Sequence, residues 1–197
     1  MWDERYAGES FFYGTEPNDF LREHAAEIQA GGRVLCLAEG EGRNAVFLAG
    51  LGFSVVALDQ SAMGLRKALQ LAEARGAAIT TLQANLDSYR IEPCSWDAIV
   101  SIWCHLPTAL RAKVHAQVVD GLKPGGVFLL EAYRPEQLQF GTGGPKSVDM
   151  LPTLAQLREE LSGLEIVQAA ELERDVHEGQ GHSGHSAVVQ VLARTVR

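Results

Sequence analysis

Residues 33–45 read RVLCLAEGEGRNA, and this stretch decides the fold class. Its apolar part, Arg33–Ala38, has the length and composition of a buried β-strand. Two closely spaced glycines follow, and Asn44–Leu51 then has the pattern of a helix that ends at Gly52. A buried strand, a glycine turn and a helix in this order predict the first unit of an α/β protein with a largely parallel sheet.

The chain repeats this alternation as far as Tyr133. Ser61 is the predicted N-cap of a helix that ends at Arg75, and Thr108 that of a helix that ends near Gly121. The four further strands predicted in this part of the chain are Phe53–Leu58, Ala78–Gln83, Asp97–Trp103 and Val127–Tyr133.

The alternation ends after the fifth strand. The pattern predicts a helix over Thr153–Ser162, a sixth strand over Leu164–Leu172, a polar loop over Glu173–Ser186 and a seventh strand over Ala187–Arg194. No helix fits between the last two strands, so they should pair antiparallel. The expected fold is therefore α/β: a Rossmann-like three-layer sandwich with a seven-stranded, mostly parallel sheet whose last strand is antiparallel.

The first 32 residues precede the predicted sheet. They contain a predicted helix, Asn18–Gln29, and an aromatic loop, Phe11–Gly14. No linker-like composition separates them from residues 33–197, which form the predicted sheet-containing core. We therefore expect a single domain over residues 1–197.

Composition narrows the classes of partner. The chain has 17 Lys and Arg against 25 Asp and Glu, a formal net charge of −8, which disfavours nucleic acid and anionic membranes as partners. Its three cysteines show no CxxC spacing, so no disulfide framework or cysteine-rich metal site is predicted. The sequence shows neither a signal-peptide pattern nor a long apolar span. We expect a cytoplasmic protein that is a monomer or a weak homodimer.

The glycine turn lies where open α/β sheets bind ligands, at the carboxyl ends of the strands. Gly40, Gly42 and Ala45 satisfy the dinucleotide pattern G-x-G-x-x-A, and Asp59 follows about 20 residues later. An NAD(P)-dependent oxidoreductase is therefore one interpretation of this turn.

The charges of the turn favour a different ligand. Glu39 and Glu41 would lie beside a dinucleotide's pyrophosphate, and such like-charge contacts are unfavourable. A ligand with a cationic sulfonium, an ammonium group and a ribose has no such penalty, and S-adenosylmethionine (SAM) fits that description. Asp59 can accept hydrogen bonds from the ribose hydroxyls.

These residues resemble the class I SAM-dependent methyltransferases. The segment Val34–Gly42 is similar to the first motif of that family, although Cys36 stands where many members have an acid and Ala38 replaces a glycine. Glu39 or Glu41 would then supply the negative charge for the methionine amino group. Trp96–Ser101 resembles the fourth-strand motif, and LKPGG resembles the turn before strand five.

The closest resemblance is to the small bacterial tellurite-resistance and thiopurine-methyltransferase-like branch. It implies that residues 1–32 form a helical lid segment, with Tyr13 and Asn18 closing over the cofactor. The cofactor-binding residues implied by the resemblance are Tyr13, Asn18, Glu39, Gly40, Glu41, Gly42, Asn44, Asp59, Gln60, Ser61, Asn85, Leu86, Ser101 and Ile102.

His105 is the candidate catalytic residue. It lies at the ligand edge of the sheet, where an imidazole can act as a general base or orient the acceptor. The alternative is a structural histidine that bonds the loop backbone. Ser101–Pro107 lacks the Asn/Asp-Pro-Pro-aromatic motif of enzymes that methylate exocyclic base amines, so such an acceptor is not expected.

The polar loop before the last strand carries further chemistry. We expect Arg174, Glu178 and His185 to line an acceptor pocket, with a solvated charged loop as the alternative. The histidine spacing in this loop does not match a common zinc motif, so no metal site is predicted. The glycine-rich segment Gly141–Pro145 lies on the same rim and is a candidate cover.

The sequence thus favours a SAM-dependent methyltransferase that acts on a small-molecule acceptor: a thiol, a metalloid or a hydroxyl. The S-adenosylhomocysteine (SAH) left after transfer is the expected product of the cofactor. Two alternatives stay open, an NAD(P)-dependent oxidoreductase and a SAM-binding module without catalytic activity.

Overall fold

The computed structural model describes residues 2–196. Seven strands form one sheet in the order β3-β2-β1-β4-β5-β7-β6. The strands are β1 (Arg33–Leu37), β2 (Ser54–Asp59), β3 (Thr80–Gln83), β4 (Trp96–Ile102), β5 (Leu122–Tyr133), β6 (Glu165–Glu178) and β7 (His182–Arg194). Strands β1 to β5 pair in parallel, and β7 lies antiparallel between β5 and β6. The predicted Rossmann-like fold is confirmed.

Helices cover both faces of the sheet. They are α1 (Trp2–Arg5), α2 (Asp19–His24), α3 (Arg43–Gly50), α4 (Ala62–Ala74), α5 (Thr108–Gly121) and α6 (Leu154–Glu160). Alternate side chains of β1 enter opposite cores: Leu35 packs with residues of α5 and α6, and Val34 with residues of α2 and α3. This alternation follows from the two-residue period of a strand, and it gives the three layers.

Side-chain caps set the start of three helices, α2, α4 and α6. Ser61 is the N-cap of α4, as predicted, because its side chain accepts a hydrogen bond from Gly64 N. Thr108 is not the cap of α5: Pro107 holds that position, and the Thr108 hydroxyl donates to Asp149 O at 2.9 Å. The predicted helix over Asn18–Gln29 is shorter, since α2 ends at His24 and a 3₁₀ turn follows.

The predicted polar loop over Glu173–Ser186 is wrong. Strand β6 continues to Glu178 and β7 begins at His182, so only residues 179–181 connect them. The part of β6 that was expected to be a loop lies at the edge of the sheet. Many of its side chains are exposed there, so polar residues are compatible with a strand. Residues expected on a polar loop are therefore held in fixed register by a hairpin.

Three segments meet above the carboxyl ends of the parallel strands: the aromatic loop, the 141–145 segment and the hairpin tip. Gln180 N donates to Phe12 O at 2.8 Å, and Ser183 N donates to Thr142 O at 3.1 Å. These backbone bonds join the three segments into one roof. Within residues 2–196, no helix has the length and apolarity needed to cross a bilayer.

Candidate functional site

A cavity of about 510 Å³ lies under this roof. Glu39, Asp59 and Asn85, which follow or end β1, β2 and β3, line what we call the β1–β2 end. Trp103 and His182 line the hairpin end, beside the tip of the β6–β7 hairpin. The cavity thus opens at the carboxyl edge of the sheet, where α/β folds place their ligands.

Asp59 is fixed at the end of β2 by two backbone amides. Its Oδ2 accepts from Gly40 N at 2.8 Å, and its Oδ1 accepts from Ser61 N at 2.7 Å. Burial raises the pKa of the Asp59 carboxyl, although these backbone hydrogen bonds oppose the shift. The carboxyl group lines the cavity and keeps further acceptor capacity for a ligand's hydroxyl groups.

Glu39 holds the N-terminus of α3. Its Oε1 accepts from Asn44 N at 2.9 Å and from Ala45 N at 2.8 Å. Burial raises the pKa of Glu39 to about 7, against the opposing effects of these amides and of Arg43. A dinucleotide's pyrophosphate would need the same helix terminus, so an acidic side chain already occupies the position on which that interpretation depends.

Glu41 binds the N-terminal segment. Its Oε2 accepts from Phe12 N at 2.7 Å and from Tyr13 N at 3.3 Å, and its Oε1 lies 2.5 Å from Lys67 Nζ. Lys67 also donates to Ser10 O at 2.6 Å. The carboxylate of Glu41 is thus committed to protein partners, which leaves Glu39 as the candidate for a cationic ligand group.

The turns at the strand ends adopt backbone conformations that side chains rarely take. Ala38 has φ +49° and Trp103 has φ +57°, both in the left-handed region. A residue other than glycine in this region costs about 1–3 kcal/mol of folding free energy, and such residues cluster at functional sites. Ala38 follows β1 where the family motif has glycine, and it takes the conformation that glycine would supply.

Nine of the predicted cofactor-binding residues line the cavity: Tyr13, Glu39, Glu41, Asn44, Asp59, Gln60, Asn85, Leu86 and Ile102. Gly40, Gly42, Ser61, Ser101 and Asn18 do not line it. Gly42 has φ +86°, and a Cβ there would lie 2.4 Å from Ala68 Cβ, so it allows α3 and α4 to pack.

Asn18 was expected to close over the cofactor, and this expectation is wrong. The side chain is fully buried behind the cavity, where its Oδ1 caps α2 by accepting from Leu21 N. Its Nδ2 donates to Glu131 at 2.5 Å and to Glu178 at 2.8 Å. Asn18 therefore links the N-terminal helix to buried carboxylates of β5 and β6.

His105 lines the cavity but does not have the free nitrogen that a general base needs. Its Nδ1 lies 3.1 Å from Trp103 O, and its Nε2 accepts from Tyr133 N at 2.9 Å. Burial lowers the pKa of His105 to about 3. The prediction of a catalytic base at this position is corrected: His105 is the structural histidine of the loop after β4.

The three residues predicted to line the acceptor pocket do not line the cavity. Arg174 makes a bidentate pair with Glu131, at 2.8 and 2.9 Å. Glu178 is buried and accepts from Arg43, Trp103 and Asn18. His185 is exposed and lies 3.0 Å from Glu173.

Within residues 2–196, no cluster of three or more His, Cys, Asp or Glu is arranged to hold a metal ion.

His182 lines the cavity, although the sequence analysis did not assign it to the cofactor or acceptor site. It is 5% exposed, and its ring centroid lies 4.6 Å from that of Tyr13, 4.7 Å from that of Trp103 and 5.2 Å from that of Tyr133. The Gly181-His182 pair lies at the tip of the hairpin, and a glycine before a histidine in a tight turn could have indicated this position. A prediction of a long loop over these residues hides that pattern.

Comparison with known proteins supports the fold. A methyltransferase-domain family model matches residues 34–126. A search of curated proteins finds no match. Among solved structures, one from work on converting a disulfide bond into a thioacetal group during echinomycin biosynthesis has a TM-score of 0.75 at 21% identity, covering 99% of this chain and 90% of that one.

Two further structures share the fold. A SAM-dependent methyltransferase from Methanosarcina mazei has a TM-score of 0.72 at 16% identity, with 92% of this chain and 99% of that chain covered. TehB from Haemophilus influenzae has a TM-score of 0.73 at 18% identity, with 98% of this chain and 65% of that chain covered. The family match over residues 34–126 and the sheet topology show that the chain has the class I methyltransferase fold, a fold that it shares with SAM-dependent methyltransferases.

Proposed function

We propose that this chain transfers a methyl group from SAM to a small-molecule acceptor that carries a thiol, a hydroxyl or a metalloid. The supporting observation is a roofed cavity whose two ends differ in chemistry: carboxylates at the β1–β2 end, aromatic rings and imidazoles at the hairpin end. A donor and an acceptor must lie side by side for an in-line displacement, and one cavity with two dissimilar ends suits that need.

The residues of the β1–β2 end fit SAM. Glu39 and Asp59 supply two carboxyl groups at the ends of adjacent strands, suited to an ammonium group and to ribose hydroxyls. Gln60, Asn85 and Leu86 would contact the adenine. When bound, SAM supplies an electrophilic methyl group on a sulfonium.

The roof favours a small acceptor. Tyr13, Gly144 and His182 line the cavity from the aromatic loop, the 141–145 segment and the hairpin tip. An acceptor atom must pass beneath this roof, and a cavity of about 510 Å³ lies within the size range of small-molecule sites. Because residues 20–21 of the N-terminal segment pack into the core on one face of the sheet, we also propose a single methyltransferase domain.

Production of SAH tests the proposal. Purified protein is incubated with SAM and, in parallel, with small thiols, phenols, tellurite, unstructured protein and RNA. We expect SAH only with small molecules. Tight SAM binding without SAH from any acceptor would instead support a SAM-binding module without catalytic activity, and SAH formed only with RNA or protein would contradict the small-molecule assignment.

A further inference from the structure

Two histidines line the same cavity, and their hydrogen bonds distinguish them. Both nitrogens of His105 are occupied, one by Trp103 O and one by Tyr133 N. Within residues 2–196, no hydrogen bond that meets normal geometry engages either nitrogen of His182, and its Nδ1 is buried without a partner. His182 is therefore the imidazole in this cavity that is free to exchange a proton.

A fixed carboxylate lies behind His182. The distance from His182 Nδ1 to Glu178 Oε2 is 3.9 Å, within ion-pair range and beyond a direct hydrogen bond. Glu178 is held in place by Arg43, Trp103 Nε1 and Asn18 Nδ2, and it does not line the cavity. Since Nδ1 lies on the side of Glu178, Nε2 is the nitrogen available to a ligand.

We propose that His182 accepts the proton of the methyl acceptor and that Glu178 positions the ring and stabilises its charged form. This inference rests on the function proposed above and narrows it. It requires an acceptor whose reacting atom carries a proton at neutral pH, which means an un-ionised thiol or hydroxyl. A metalloid oxyanion needs no such base.

The proton balance of the step is simple. The S–H or O–H bond of the acceptor breaks, its proton goes to His182 Nε2, and its electron pair forms the bond to the methyl carbon. The electrons of the donor's sulfur–methyl bond stay on that sulfur. The imidazolium then returns its proton to water. A positioned base of this kind contributes about 10²–10⁴-fold to the rate.

Burial of His182 favours the neutral form of its ring. Burial lowers the pKa of His182, with the charge of Glu178 opposing the shift. Burial alone would raise the pKa of Glu178, but His182, Arg43 and Trp103 hold it well below its usual range. The titratable or charged groups around the ring are Glu178, Arg43, Arg5, Tyr13, Tyr133 and His105.

The test compares two thiols that differ in ionisation. At pH 7.5, 4-nitrothiophenol is already a thiolate, whereas phenylmethanethiol keeps its proton. We expect His182→Gln to lower kcat for phenylmethanethiol by about 100-fold and for 4-nitrothiophenol by less than about threefold. His185→Gln is the matched control, because this exposed hairpin histidine lies outside the cavity, and it should leave both rates unchanged.

An equal loss on both thiols would make His182 a packing or binding residue and overturn the inference. The inference would also be overturned if the wild-type protein bound SAM but methylated neither thiol. Calorimetric titration with SAM separates the two proposals, since failure of the wild type to bind SAM would defeat the proposed function itself. His182→Gln should bind SAM as the wild type does.

A readout without turnover completes the test. In protein labelled with ¹⁵N-histidine, the His182 resonances are assigned by their loss in His182→Gln and followed against pH. We expect His182 to titrate below the ordinary histidine value of about 6.5. Glu178→Gln should lower the pKa of His182 further. A His182 that titrates above the ordinary value would already be charged at pH 7, which would contradict its role as a proton acceptor.

Discussion

The carboxylates in and around the cavity are held in two different ways. At the β1–β2 end, Glu39 and Asp59 accept hydrogen bonds from backbone amides. Near the hairpin end, Glu131 and Glu178 accept from side chains, among them Arg174, Arg43 and Asn18. The position of a carboxylate that accepts from backbone amides depends on the local fold. The position of one that accepts from side chains depends on residues that are distant in the chain.

Arg174 should have the largest effect on stability. Arg174→Met leaves fully buried Glu131 without its bidentate partner, and breaking a buried pair costs about 3–5 kcal/mol. We expect the urea midpoint of unfolding to fall accordingly, with the SAM affinity of the folded protein little changed. Arg22→Met is the control, because the Arg22–Asp19 pair is exposed and should contribute at most about 1 kcal/mol. Equal effects of the two substitutions would show that the buried Arg174–Glu131 pair contributes no more to stability than the exposed Arg22–Asp19 pair.

Asp59 should have the largest effect on the cofactor. Asp59→Ala removes a carboxylate that would accept charge-assisted hydrogen bonds from ribose hydroxyls, so SAM should bind about 100-fold more weakly. Calorimetry measures the change, and Asp120→Ala, at an exposed position on α5, provides the control. Undiminished affinity in Asp59→Ala would show that the cofactor does not use the β1–β2 end as proposed.

Glu39 should make SAM binding depend on pH. In the free protein its pKa is about 7, raised by burial, and a cationic ligand favours the ionised form. Affinity should therefore be constant well above pH 7 and fall by about tenfold per unit below it, with proton release on binding. Titrations in buffers of different ionisation enthalpy detect the released proton. In Glu39→Gln the slope should vanish; a slope that persists there would assign the proton to another group.

His105 should have the smallest effect. His105→Gln loses bonds to Trp103 O and Tyr133 N, which we expect to cost about 1–2 kcal/mol of folding free energy. The pH dependence of kcat should keep its shape, because His105 is not the base. A kcat profile that loses its acidic limb in this variant, and keeps it in His182→Gln, would exchange the roles assigned to the two histidines.

The contrast between the two ends also explains what could be predicted from the sequence. The strands, the Ser61 cap and Asp59 depend on neighbouring residues, and local patterns located them. The hairpin could not be located in this way, because its edge-strand face is polar and gives no apolar alternation. Asn18 and Glu178 meet although they lie far apart in the chain, and no spacing in the sequence indicates such a pair.

Titration of the wild-type protein with SAM, SAH and NADH in one calorimetric series tests the central claim most directly. The carboxyl of Glu39 on the α3 terminus and that of Asp59 at the end of β2 predict that SAM and SAH bind and that NADH does not. Binding of NADH without SAM would contradict the assignment of this cavity to a methyl donor.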